Sequence, residues 1–173
     1  MTATGAIAPA TGRLGMRFER AIWLMPAAFT LHIAEEYLGG FPAWVGTQMH
    51  GAMSIPMFAV NNAVFMAILL GVVAWAAMSR GRTSAFVCLA WASGNLFWDF
   101  WVHLLTTVFQ RVYSPGLLTA ALLYYPISLW VAWLAVRDKR LGRRGVVGAF
   151  AVGLALLLFV MWAGLWHFHV PAA

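Results

Sequence analysis

Five apolar runs dominate the sequence, and each is long enough to cross a lipid bilayer as a helix, which takes about 20 residues. The runs cover roughly residues 21–38, 52–78, 85–108, 117–136 and 146–167. Hydrophobic residues make up 63% of the chain and charged residues only 9%, which is too few to cover a soluble globule. The sequence therefore predicts an all-α fold, a polytopic membrane bundle of five transmembrane helices.

Basic residues predict how the bundle is oriented. Ten of the eleven Lys and Arg residues lie before the first run, between the second and third, or between the fourth and fifth. By the positive-inside rule, this distribution places the N-terminus inside and the C-terminus outside. These basic residues indicate topology rather than nucleic-acid binding. We therefore expect the lipid bilayer, rather than a nucleic acid, as the partner of the protein. We expect a multi-pass protein of a bacterial-type plasma membrane.

The domain organisation is simple. Residues 1–12 are rich in Ala, Thr and Gly, which predicts a disordered cytoplasmic tail. Residues 13–170 are predicted to form a single transmembrane helical domain. Cys88 is the only cysteine, so an intramolecular disulfide and a cysteine-based metal cluster are excluded.

The first run ends in ionisable residues, which are expensive inside a bilayer and usually functional. Its last part reads His32-Ile33-Ala34-Glu35-Glu36. On a helix, positions 32, 35 and 36 share one face about 100° wide. We therefore predict that this helix presents a histidine and carboxylates to a functional site.

The third run carries a second polar stripe. Asn95, Asp99 and His103 follow one another at i, i+4 steps and so lie on one face of a helix. At about 1.5 Å per residue, Glu36 and Asp99 both lie about 25 Å from the basic residues that precede their runs. Equal depth predicts that the two stripes converge, with Asn62 of the second run, on one cavity open to the external side.

The predicted site has an excess of negative charge. No Lys or Arg occurs between Arg20 and Arg80, or between Arg82 and Arg111, to pair with the three carboxylates. Compensation must come from protonation of a carboxylate, from an imidazolium, from a bound cation or from water.

Two motifs resemble those of a known family. The HIAEE run at residues 32–36, a later histidine, and Tyr113-Ser114-Pro115-Gly116 are similar to the HXXEE motif, second histidine and YXPG motif of the HXXEE family of small membrane proteins. We take His103 as the second histidine, because it precedes the YXPG run at a matching depth. The resemblance covers roughly residues 23–125 and implies a site, whereas the family has no established activity.

An enzyme on a lipid-like or small hydrophobic substrate is the first functional hypothesis. His32, Glu36, Asp99 and His103 have the donor atoms to bind a divalent metal such as zinc or iron. Glu35 would then act as general base, and Asp99 is the other catalytic candidate. Without a metal, the same groups allow acid–base chemistry.

Three further residues are expected to bind substrate or support the site. Asn62 and Asn95 are amides within membrane runs, which often form interhelical hydrogen bonds. Tyr113 lies in a predicted turn, with Pro fixing φ and Gly supplying a conformation that other residues avoid.

Two other classes of function stay open from the sequence. A proton-coupled or cation transporter would use the carboxylates and histidines to exchange protons. A haem-binding redox protein would use His32 and His103 as axial ligands, although the nearby acids suit a bare metal ion better.

Overall fold

A computed structural model of the protein describes residues 16–167, which contain helices and no strand. In chain order the helices are α1 (Phe18–Ala21), α2 (Leu24–Leu38), α3 (Phe41–Gln48), α4 (Ile55–Ser79), α5 (residues 82–110), α6 (Leu117–Arg137) and α7 (residues 143–167). The predicted all-α fold is confirmed for this part of the chain. The predicted tail at residues 1–12, and both ends of the predicted domain, lie outside the described residues.

Of the helices within residues 16–167, three are long and apolar enough to cross a membrane. They are Ile55–Ser79, Leu117–Arg137 and Arg143–Gly164, with mean hydropathies of 2.1, 1.6 and 2.5. They correspond to the second, fourth and fifth predicted spans. The first predicted span is divided between α1 and the 15 residues of α2, and the third is α5, which carries the polar stripe. The number of five spans and their orientation stay predictions.

Helix α3 was not predicted. It begins after Gly40, whose φ of 74° lies in the left-handed region that glycine tolerates best. Trp44 and Val45 of this helix are buried, and they pack with Phe41 and Met49. The chain between the first two long apolar runs therefore folds back over the bundle and adds a cover to one end.

Helix α5 lies at the centre of the packing, where it contacts α4, α6 and α7. Glycines allow α5 and α7 to approach closely. A Cβ added to Gly94 would lie only 2.8 Å from the carbonyl oxygen of Gly153, so a larger side chain would not fit at this contact. The hydroxyl of Ser93 lies between two carbonyls, that of Ala90 on its own helix at 3.1 Å and that of Ala149 across this contact at 3.4 Å.

Wide π-helical turns interrupt three of the helices. They span Ser93–Trp98 in α5, Ala120–Tyr124 in α6 and Trp162–His167 in α7. The first ends directly before Asp99, and the second begins directly after Thr119. Such turns are rare and often occur at functional sites, because each shifts the helical face that follows it.

Basic segments meet at one end of the bundle. Arg140, between α6 and α7, donates to the carbonyl of Arg80 at 2.9 Å and pairs with Glu19. Arg137 donates to the carbonyl of Met16 at 2.7 Å. The three segments that hold most of the positive charge are therefore neighbours in space.

Candidate functional site

Helices α2 and α5 bring four ionisable side chains to one point. The Nε2 atom of His32 lies 3.5 Å from Oε1 of Glu36 and 3.3 Å from Oδ2 of Asp99. The Nε2 atom of His103 lies 3.6 and 3.4 Å from the same two oxygens. Each helix contributes one histidine and one carboxylate at i, i+4 spacing. The predicted convergence of the two polar stripes is confirmed.

The cluster is deeply buried on its histidine side and more open at Asp99. Both imidazoles are 1% exposed, whereas the side chain of Asp99 is 25% exposed and that of Glu36 is 8% exposed. Donor atoms of His32, Asp99 and His103 all lie within 4.8 Å of one another, which is close enough for one metal ion. Asp99 is therefore the most exposed member of the cluster.

A cavity of about 150 Å³ leads to the cluster. Its walls come from α2, α3, α4, α5 and α7, and they are mostly apolar. Aromatic and aliphatic residues that line it include Phe29, Phe41, Trp44, Phe58, Phe65, Trp91, Leu156, Leu157, Val160 and Met161. The four ionisable side chains thus lie against a mostly apolar space.

The predicted amides also line this cavity. Asn62 and Asn95, together with Asn61, are among the lining residues. The side-chain nitrogens of Asn62 and Asn95 each donate, at 3.0 Å, to a carbonyl one turn back on their own helix. Both amide hydrogen bonds are therefore made within one helix rather than between helices. In each residue the side-chain oxygen points away from the carbonyl that the nitrogen binds.

The YXPG turn packs directly on the imidazoles. Gly116 has a φ of +103°, as the turn interpretation of the sequence required. A Cβ at this position would lie 2.7 Å from Cε1 of His32, 2.8 Å from Cε1 of His103 and 3.0 Å from Cγ of Glu36. Glycine is needed here both for its backbone conformation and for the contact it allows.

Hydroxyl groups bind the outer nitrogen of each imidazole. The Nδ1 atom of His103 lies 2.8 Å from Oγ of Ser114, and that of His32 lies 3.0 Å from Oγ1 of Thr119. The sequence indicated Ser114 only as a turn residue and did not indicate Thr119. A hydroxyl three residues after the YXPG motif, inside an apolar run, is the signal that marks it.

Glu35 does not join the cluster, and its predicted role as general base stays a prediction. Its Oε1 accepts hydrogen bonds from the hydroxyl of Tyr113 at 2.5 Å and from the backbone N–H groups of Gly116 and Leu118 at 3.2 Å. Its Oε2 accepts from the N–H of Thr119 at 2.7 Å. The carboxylate therefore caps the N-terminus of α6, where its charge is favoured by the helix dipole.

Two tyrosines flank the site in different ways. Tyr113 lies outside the cavity lining, and its phenol donates to Glu35; partial burial, together with the Glu35 carboxylate, raises the pKa of Tyr113. Tyr124 was missed by sequence reasoning. Its ring lies 4.3 Å from that of His32, and its buried hydroxyl has no hydrogen-bond partner among residues 16–167.

Residues 23–131 match the family described as "Protein of unknown function with HXXEE motif". The chain belongs to the HXXEE family. In this HXXEE protein the two family motifs contact each other and form one site. The first motif supplies His32, Glu36 and the capping Glu35, and the YXPG turn covers the imidazoles and binds that cap.

Two curated relatives give a second comparison for this HXXEE protein. Both are named "Lysoplasmalogenase", one from Mycobacterium bovis and one from Mycobacterium tuberculosis, and each is 31% identical to the chain. The alignments cover 94% of this chain and 60% of each relative, so the chain spans about 60% of the length of the curated relatives it matches. No solved structure matches the chain significantly.

Proposed function

We propose that this HXXEE protein is a membrane enzyme that hydrolyses a single-chain lipid at the His32, Glu36, Asp99 and His103 cluster. The observation that carries the proposal is the position of four convergent ionisable groups against an otherwise apolar cavity. The likeness to proteins named as lysoplasmalogenases supports the lipid-like substrate.

The cavity supports the binding of an alkyl chain. Phe41, Phe58, Phe65 and Trp44 offer aromatic surface, and α7 adds aliphatic side chains. The oxygen of Asn62 is available to accept a hydrogen bond from a lipid hydroxyl.

The chemistry of the relatives' named substrate fits the groups in the cluster. A lysoplasmalogen is a single-chain glycerophospholipid whose chain is attached through a vinyl ether. Its hydrolysis adds a proton to the carbon atom next to the ether carbon, and water adds to the resulting cation. The hemiacetal so formed breaks down to an aldehyde and a free glycerol hydroxyl, and the water replaces the proton that the enzyme gave.

The residues divide into three roles in this proposal. Asp99, the most open member of the cluster, faces the reacting bond, where the cluster exchanges the proton. His32 and His103 hold the water beside Asp99, and their Nδ1 bonds keep the rings oriented. Glu35 positions the covering turn and takes no part in proton transfer.

The proposal is tested with the purified full chain in lipid nanodiscs and three lipids that differ only at the linkage. They are a 1-alkenyl, a 1-acyl and a 1-alkyl lysophospholipid with the same chain and headgroup. We expect aldehyde release, measured by mass spectrometry, from the alkenyl lipid, and we expect Asp99→Asn to lower the rate about 10²–10⁴-fold. Release of product from none of the three lipids would contradict the proposal.

We also propose that the single domain spans a bacterial-type plasma membrane five times, with the N-terminus inside. The contacts of Arg140 with Arg80 and Glu19 support this arrangement, because they join three basic segments at one end of the bundle. The site then lies toward the external side. Reporter fusions after Arg82 and Lys139 should both indicate the cytoplasm, and an external signal from either would contradict this topology.

A further inference from the structure

Two buried nitrogens in the cluster have no partner of their own. The Nε2 atoms of His32 and His103 belong to residues that are 1% exposed, and neither has a hydrogen-bond partner among residues 16–167. Two carboxylate oxygens nevertheless lie 3.3–3.6 Å from them. Buried polar atoms are normally satisfied, so this arrangement requires an explanation.

The hydrogen bonds at Nδ1 determine which nitrogen of His32 carries a free lone pair. The hydroxyl of Thr119 donates its proton to the carbonyl of Gly116 at 3.2 Å. It can therefore only accept from Nδ1 of His32, which must carry the hydrogen. In the neutral imidazole the lone pair is then on Nε2, directed into the cluster. Nδ1 of His103 likewise lies 2.8 Å from the hydroxyl of Ser114, and when that nitrogen donates, the lone pair of His103 is also on Nε2.

The distances between donor atoms match those around one ion. Two bonds of about 2.1 Å that enclose an angle of about 90–110° place their ligand atoms about 3.0–3.4 Å apart. The two distances to Asp99, 3.3 and 3.4 Å, fall within that range, and the two to Glu36, 3.5 and 3.6 Å, lie just above it. A small inward movement of the side chains would complete the coordination.

Charge and donor type favour a bare divalent ion. Glu36 and Asp99 bring two negative charges, and the sequence has no Lys or Arg between Arg20 and Arg80 or between Arg82 and Arg111. A divalent ion balances both carboxylates. Imidazole and carboxylate donors suit zinc and ferrous iron. Haem fits poorly, because the two carboxylates occupy the space around the imidazole nitrogens that a porphyrin would need.

We infer that His32, His103, Glu36 and Asp99 bind one divalent transition-metal ion beneath the backbone of Gly116. Ser114 and Thr119 position the two imidazoles through their Nδ1 atoms, as groups behind metal-ligating histidines commonly do. Asp99 is the most open ligand, so a water on the ion would lie on the cavity side. The inference does not depend on the proposed lipid hydrolysis, although such an ion would acidify the water that the reaction uses.

Metal analysis of the purified full chain tests the inference. The detergent-solubilised protein is loaded separately with zinc, ferrous iron and manganese, freed of unbound ions and measured by mass spectrometry. We expect one ion per chain from zinc or iron, and at least about tenfold less in His32→Ala and Asp99→Asn. His50→Ala is the matched control, because His50 is exposed and lies outside the cluster; it should retain the ion.

A second pair of variants separates metal binding from folding. Ser114→Ala and Thr119→Val remove hydroxyl groups and leave all four ligands in place. They should weaken metal affinity about 10–100-fold in competition with a chelator, while the elution volume in size-exclusion chromatography stays that of the wild type. Retention of no ion by the wild type, or full retention by His32→Ala, would overturn the inference. Bound metal without lipid hydrolysis would contradict only the proposed function, and lipid hydrolysis by wild-type protein that retains no ion after loading would contradict only the metal site.

Discussion

Replacement of Glu35 by glutamine separates a capping role from a catalytic one. The carboxylate accepts three hydrogen bonds at Oε1 and one at Oε2, all from residues 113–119. Glutamine has nearly the same shape but keeps only one accepting oxygen. Its amide nitrogen must therefore face a donor, and the least costly orientation gives up the single bond from Thr119.

The expected loss of stability follows from these contacts. A hydrogen bond to a charged group contributes about 1.5–3 kcal/mol, and a carboxylate at a helix N-terminus adds about 0.3–1 kcal/mol. Glu35 is half-buried, so solvent compensates part of the loss. We expect Glu35→Gln to lower the free energy of unfolding by about 2–3 kcal/mol, which corresponds to about 4–12 °C in Tm for a chain of this size.

Thermal unfolding in detergent and the alkenyl-lipid assay, both on the same preparation, measure the two effects. At low temperature, where the variant is folded, we expect less than about a tenfold fall in kcat and full metal content, because Glu35 touches neither the cluster nor the cavity. Asp99→Asn is the comparison, with a large fall in kcat. An unchanged Tm combined with a 10²–10⁴-fold loss of activity would show that Glu35 is the general base after all.

Three further substitutions test the turn and the helix packing. Gly116→Ala should abolish metal binding, since its Cβ would lie 2.7–2.8 Å from both imidazoles. The metal content of the purified variant measures this, and full occupancy would contradict the close packing of Gly116 on the two rings. Tyr113→Phe removes the 2.5 Å bond to Glu35 and should lower Tm by less than Glu35→Gln does; an equal or larger fall would contradict the assignment of the four donors. Gly153→Ala should destabilise the protein by about 1–3 kcal/mol, because its Cβ would clash with Oγ of Ser93 and lie 2.7 Å from the carbonyl oxygen of Ala90; an unchanged unfolding midpoint in denaturant would show that α5 and α7 can separate freely.

Much of the cluster could be predicted because its energetics are local to each helix. His32 and Glu36, like Asp99 and His103, stand at i, i+4 spacing, and neither pair has a basic residue nearby in its run. Such side chains need partners inside a membrane, and each pair offers what the other lacks. The spacing therefore indicated both the faces and their meeting.

The direction of Glu35 could not be predicted from spacing alone. Glu35 and Glu36 differ by about 100° around the helix, and either can be grouped with His32 on one broad face. What separates them is the N-terminus of α6, whose free N–H groups attract the carboxylate of Glu35. That contact joins residues far apart in the chain and leaves no periodic signal.

Helix α3 and the details of the first part of α6 could not be predicted from the hydrophobic pattern either. Helix α3 has only eight residues, and its burial depends on the neighbours of Trp44 and Val45 rather than on a long apolar face. Thr119 and Tyr124 lie in an apolar run that otherwise predicts a plain span. The π-helical turn at Ala120–Tyr124 lies in this part of the helix, and nothing in the hydrophobic pattern marks it.

X-ray absorption spectroscopy at the edge of the bound metal tests most directly that the two motif-bearing helices build one centre. The account predicts two imidazole ligands and carboxylate oxygens at about 2.0–2.2 Å in the wild type. It predicts a single imidazole in both His32→Ala and His103→Ala, for any variant protein that still binds metal. A ligand shell of oxygens alone, or a spectrum unchanged by loss of either histidine, would contradict the account.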